Sequence, residues 1–171
     1  SASLGLLSVG AATQVKVETA ANGSGTVVGA QSLSAGATLT VYGVTRDQFN
    51  NFVGNPADTV WSLTGKTGGV VDGDLAGSPG ASVTMTGHLV GMAVIHATNG
   101  ALTAGDSGTI TVMSGAATGI SIAVAPVVGA SVDANLATQP VILVVDQFTN
   151  PVGGVTVTVS RGTGTGTLRG N

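Results

Sequence analysis

Cysteine is absent from this 171-residue chain, so no disulfide supports it. A Gly/Thr/Val-rich sandwich of about 100 residues buries enough apolar area without one, and the absence leaves the cellular compartment open. Charge is also scarce, at 8% Asp, Glu, Lys and Arg, against roughly 25% in ordinary globular proteins. The five basic residues, Lys16, Arg46, Lys66, Arg161 and Arg169, are scattered and the net charge is −3. Nucleic acid calls for a clustered basic footprint, so it is excluded as a partner. No apolar run approaches the roughly 20 residues of a membrane helix, which excludes insertion by that route. Strong helix formers are nearly missing too, with a single Glu and two Lys.

Apolar residues nevertheless make up 43% of the chain, and glycine supplies 28 positions. Thr and Val suit the pleated, half-buried surface of a sheet, while Gly supplies the turns between strands. The expected class is all-β.

The chain repeats itself. Asp47-Gln48-Phe49-Asn50-Asn51-Phe52-Val53 returns as Asp146-Gln147-Phe148-Thr149-Asn150-Pro151-Val152, and Gly10-Ala11-Ala12-Thr13 returns as Gly115-Ala116-Ala117-Thr118. Both spacings are about 100 residues, the size of one small sandwich. Short strands alternate with turn signals in the first copy. Val15 and Val17 alternate with Lys16 and Glu18, which predicts a strand with one buried face. Asn22-Gly23, Asn99-Gly100 and Gly105-Asp106 read as turns, and Asp47 to Pro56 as a polar loop. Further strands are expected through Leu39–Val44, Val60–Leu63, Ser82–Met85, Met92–Thr98 and Thr109–Met113. Trp61 is expected between two sheets. Residues 11–114 form the first domain on this reading, and 115–171 the N-terminal part of a second, incomplete one. Residues 1–10 have two readings. They align with the closing strand of a preceding repeat, or they are the remnant of a signal peptide with a small-x-small site at Val9-Gly10-Ala11.

At these residues the chain resembles bacterial immunoglobulin-like domains of the invasin and intimin type. The likeness rests on Gly-Ala-Ala-Thr-x-(Val/Ile), Ala35-Gly36, Asp-Gln-Phe-x-Asn-x-Val, the Asp106-Ser107-Gly108-Thr109-Ile110-Thr111-Val112 run and the Gly162–Leu168 run. It implies an all-β immunoglobulin-like Greek-key β-sandwich in tandem, on a secreted or cell-surface protein such as an adhesin or filament. The implied role is a structural spacer, an analogy of fold and not of site chemistry. The implied partners are neighbouring repeats of the same chain, or other copies joined by β-strand addition, Leu4–Val9 being the candidate strand. The alternative is a glycan- or ligand-binding accessory module of a secreted multidomain enzyme.

No catalytic, cofactor-binding or metal-binding residue is assigned. Gly105-Asp106-Ser107-Gly108 matches the serine neighbourhood of chymotrypsin-like proteases, and His96 and several Asp residues are present, but that family's order needs a His and an Asp well upstream and a large double barrel around them. Here the motif lies between two strands of one small sandwich, so Ser107 reads as a turn residue. His88 and His96 lack the further ligands of a zinc site, and a hydrogen-bonded sheet histidine is the expectation for His96. The Asp/Asn loops lack the closing Glu of a calcium loop, since Glu18 is the only Glu in the chain. Asp and Asn side chains there are expected to bond their own backbone. Gly162–Leu168 has glycine but no Gly-Lys-Ser/Thr, so it is no phosphate loop. Asp72-Gly73-Asp74 and Asn22-Gly23-Ser24 read as turns. Phe49 and Phe148, at equivalent positions, are expected to plug each loop onto its own sandwich end.

Overall fold

The structure is a computed structural model that describes residues 8–127, 136–160 and 162–163. Residues 4–7 of the candidate closing strand, Arg161, Arg169 and most of the Gly162–Leu168 run lie outside them. The described residues are all-β and contain no α-helix. In chain order the strands are β1 (Gln14–Glu18), β2 (Gln31–Ser34), β3 (Thr38–Arg46), β4 (Phe52–Gly54), β5 (Val60–Gly68), β6 (Leu75–Ala76), β7 (Ser82–Thr86), β8 (Gly91–Thr98), β9 (Gly105–Met113), β10 (Gly119–Val124) and β11 (Val141–Val145). Asp72–Asp74 forms a single 3₁₀ turn before β6.

Three sheets result. One runs β1-β3-β7-β6 with β4 on the end of β3, and a second runs β2-β9-β8-β5. All pairs in these two are antiparallel except β2 with β9, which is parallel. Both sheets feed one buried cluster in a sandwich-like arrangement: Val15, Val17, Val41, Val83 and Met85 from the first, and Leu33, Trp61, Leu63, Ile95, Ile110 and Val112 from the second. Strict alternation produces it. Along β8, Ala93, Ile95 and Ala97 are buried while Val94, His96 and Thr98 are half-exposed, as a period of two requires. This core is drawn wholly from residues 15–112. The third sheet is the β10–β11 ribbon, paired Gly119 to Val145 through Val124 to Val141.

Trp61 sits in the core as expected, 5% exposed, and its indole N–H donates to Gly80 O at 2.8 Å. Three local expectations fail. Gly105-Asp106 is no turn but the start of β9, paired with Ala97 and His96. Glycine is needed there because the chain of β1 passes so close that a Cβ would meet Val15 O at 2.3 Å. Ser107, likewise in the strand and not in a turn, accepts the Ile95 N–H and donates to Gly108 O. Glu18 does not face water opposite Val17; it is 1% exposed, because Arg46 meets it inside. The polar loop after Asp47 also holds the short strand β4.

Candidate functional site

The two Asp-Gln-Phe loops follow the ends of β3 and β11, and they are built alike atom for atom. Asp47 Oδ1 accepts the N–H groups of Phe49 and Asn51, each at 2.9 Å, and its Oδ2 accepts Gly10 N–H and Asn51 Nδ2, both at 2.9 Å. Asp146 Oδ1 accepts the N–H groups of Phe148 and Asn150 at 2.8 and 3.0 Å, and its Oδ2 accepts Gly115 N–H and Asn150 Nδ2, both at 2.8 Å. The expectation that these side chains bond their own backbone is met. Each loop also ties down the glycine that leads into the neighbouring strand. Four bonds to one carboxylate favour its charged form. For Asp47 the Asn51 side chain contributes most, followed by Gly10 N–H, and the carboxyl is held down at about 2. Around Asp146 the largest influence is burial, which pushes upward, but the bonds from Asn150, Gly115 and Phe148 together outweigh it and also leave the group at about 2.

Both loops place a non-glycine residue in the left-handed region, Asn50 and Thr149, each at φ 67°. Asn accepts that conformation readily, whereas β-branched Thr does so only where its surroundings impose it.

The loops differ in what holds them from outside. The first is buttressed by its own sheets. Arg46, 7% exposed, grips Glu18 through two parallel bonds of 2.5 and 2.7 Å, and donates to Asn50 O at 2.9 Å and Gly23 O at 3.0 Å. The bond to Glu18 raises the Arg46 pKa above its usual value, against the opposing effect of burial. The matching positions near the second loop are Val145 and Ala123, so no such pair exists there.

The second loop is held instead by the β7–β8 turn, which joins the two larger sheets. Asn150, 4% exposed, donates to His88 O at 2.8 Å and accepts Val90 N–H at 2.9 Å. The Phe148 ring meets the His88 imidazole edge-on, with centroids 5.0 Å apart and planes at 82°. His88 is itself fixed by Asp74, whose Oδ1 lies 2.6 Å from Nδ1 and whose Oδ2 accepts Val71 N–H at 2.9 Å. Asp72-Gly73-Asp74 is thus a turn, as expected, and it also anchors the receiving surface. Gly36, at φ +91°, holds a backbone conformation that side chains rarely adopt, and the end of the Gln147 side chain lies beside it. A cleft of about 280 Å³ remains between Ala35–Gly36 and Gly115, Ala116, Asp146 and Gln147.

The expected symmetry of Phe49 and Phe148 does not hold. Phe148 is half-buried against His88, but Phe49 is 75% exposed and plugs nothing. Asn51 is exposed as well, and among the described residues its Oδ1 takes no partner. Sequence reasoning missed His88, Val90 and Asp74 as parts of this joint. A contact between residues some 60 positions apart leaves no periodic trace.

Elsewhere, His96 Nδ1 lies 2.7 Å from Asp106 Oδ1, as a hydrogen-bonded sheet histidine should. Among the described residues no three His, Cys, Asp or Glu side chains converge as metal ligands, and every buried side-chain N or O has a partner. Among the described residues no helix is long and apolar enough to cross a membrane. No protein-family model matches the chain, and no curated protein matches it.

Proposed function

We propose that the chain is a non-catalytic spacer of an extracellular surface protein, adhesin or filament, in which immunoglobulin-like sandwiches follow one another at a fixed angle. The observation that carries this reading is the joint around Asn150, where two direct hydrogen bonds and an aromatic contact hold the second loop on the first sandwich. A flexible tether needs none of these; a stalk that transmits orientation needs all of them.

Strand order supports the immunoglobulin-like part. With β1, β3, β6 and β7 taken as strands A, B, D and E, and β5, β8 and β9 as C, F and G, the sheets become ABED and CFG, with β2 added beside G. The matching hydrogen bonds of the Asp47 and Asp146 loops support the tandem part. So does the register of β1 on β3 beside that of β10 on β11: in both, the strand after Gly-Ala-Ala-Thr pairs antiparallel with the strand that leads into the Asp.

Assembly by β-strand addition belongs to the same proposal. The β10–β11 ribbon leaves Ile120 and Ile122 each 62% exposed and Val141 51% exposed. A ribbon so bare recruits a further strand, and Leu4–Val9 of another copy, which aligns with the closing segment Ile110–Ser114, suits that role. Mass in solution tests it: oligomers that vanish on deleting residues 1–10 support strand exchange, and a monomer at high concentration rules it out.

A glycan-binding module is the competing reading, and the structure changes where it would have to act. Trp61 is buried and bonded, so Phe49 is the one exposed ring on a sandwich end. A glycan array with the full chain separates the two readings. Saturable binding lost in Phe49→Ala would replace the spacer with a ligand module.

A further inference from the structure

The Asn150 joint has a counterpart that no described residue fills. At the opposite end of the first sandwich, Gly10, Asp47, Phe49 and Asn51 repeat the arrangement of Gly115, Asp146, Phe148 and Asn150. In the occupied joint Phe148 meets His88, and Asn150 meets His88 O and Val90 N–H. In its counterpart Phe49 stands 75% exposed beside a cleft of about 400 Å³ that Ser8, Val9 and Gly10 also line. The first sandwich carries both halves of the joint, a receiving turn at His88–Val90 and a presenting loop at Asp47–Asn51.

We propose that the Phe49–Asn51 face is a docking seat for a preceding sandwich of this same kind, which would offer its own Gly-His-Leu-Val turn to Asn51 and Phe49. The proposal rests on the spacer reading and adds its partner and its contact atoms. Geometry favours this occupant over others. The Asp47 carboxylate has already fixed the loop and turned the Asn51 side chain outward, so docking costs little reorganisation. Its Oδ1 and second amide hydrogen match the Val90 N–H and His88 C=O that Asn150 takes up. Arg46 holds the Asn50 carbonyl from behind, a support that the second loop lacks. Because the two halves lie on different faces of one unit, the contact is heterologous. Repetition of a heterologous contact builds an open, screw-like array instead of a closed pair.

The test duplicates residues 10–114 ahead of Gly10 in the full chain, so that Ser114 runs into Gly10 as it natively runs into Gly115. The upstream unit has a complete core of its own, since the buried cluster comes from residues 15–112. Amide exchange is read at Val90 in each copy. The expected result is that upstream Val90 exchanges about tenfold more slowly than in the same chain carrying Asn51→Ala downstream, the scale of one net hydrogen bond with some packing. Asn51 is exposed, so that variant folds. Equal exchange with and without Asn51→Ala overturns the proposal. Downstream Val90, which faces Asn150, is the internal reference. If it is protected while upstream Val90 is not, the seat is wrong and the spacer reading stands; if neither is protected, both fail. A glycan that binds the duplicated chain and is lost with Asn51→Ala, upstream Val90 remaining unprotected, overturns the proposal in favour of a ligand seat.

Discussion

Replacing Asn150 with alanine should loosen the joint without unfolding the sandwich. Its side chain makes three hydrogen bonds, to Asp146 Oδ2, to His88 O and from Val90 N–H, at 2.8, 2.8 and 2.9 Å. Only the last two cross between the two parts of the chain. At roughly 1 kcal/mol net for each, the joint loses about 2 kcal/mol, or about a thirtyfold rise in its opening constant. Val90 itself loses its acceptor, so its exchange reports the deletion directly. Gly115 N–H is the informative probe, because it keeps its acceptor Asp146 Oδ2 and speeds up beyond the roughly fivefold effect of the lost Asn150–Asp146 bond only if the loop swings away. Hydrogen exchange by NMR should therefore show Gly115 accelerated about thirtyfold, with Ile95 and Ile110 in the core unchanged. The matching change Asn51→Ala crosses no joint in this chain and removes one bond, to Asp47 Oδ2. Gly10 should then accelerate by no more than about fivefold. Gly115 exchange that is the same in Asn150→Ala as in the native chain would refute the reasoning, since the loop would then be held by something other than this side chain.

Arg46→Met strands the Glu18 carboxylate in a site 1% exposed and should cost about 3 kcal/mol in chemical denaturation. Adding Glu18→Leu should restore much of that loss, because a buried pair replaced whole is far less costly than one broken. If the single variant melts like the native chain, the pair does not support the Asp47 loop. Acid should act on both loops together. Asp47 and Asp146 are lowered from the ordinary 3.8 to about 2, so the folded state holds fewer protons than the unfolded chain between those values. Their stabilisation is complete above pH 3.8 and is lost as pH falls through 2. Carboxyl chemical shifts should show both groups titrating near 2, and titration of either near 4 would mean that its four bonds are not formed.

Much of the fold was legible because a period of two writes itself into composition. Val15 and Val17, or Ala93, Ile95 and Ala97, place a buried face without any tertiary knowledge. The Asp-Gln-Phe-x-Asn loops were legible for a different reason, since their bonds are local, from one side chain to amides two and four residues on. What stayed hidden depended on long-range partners. Glu18 looked like a solvated strand residue, and only Arg46, 28 positions later, makes its burial tolerable. Strand β2 carries a single buried residue, Leu33, in Gln-Ser-Leu-Ser, so no alternation announces it. Gly105 reads as a turn in sequence because glycine marks close backbone approach as well as turns, and sequence does not distinguish the two. Phe49 and Phe148 share a position in the repeat yet differ in burial, since a repeat fixes what a residue offers and not whether a neighbour is there to take it.

The central claim is that the chain's two parts form one rigid unit at the Asn150 joint. Residual dipolar couplings measured on backbone N–H groups test it most directly. If the two parts move as one, couplings from β3, β7, β8 and β9 and those from β10, β11 and the Asp146 loop fit a single alignment tensor of common magnitude. Two tensors of different magnitude, with the β10–β11 couplings scaled down by independent motion, would contradict it.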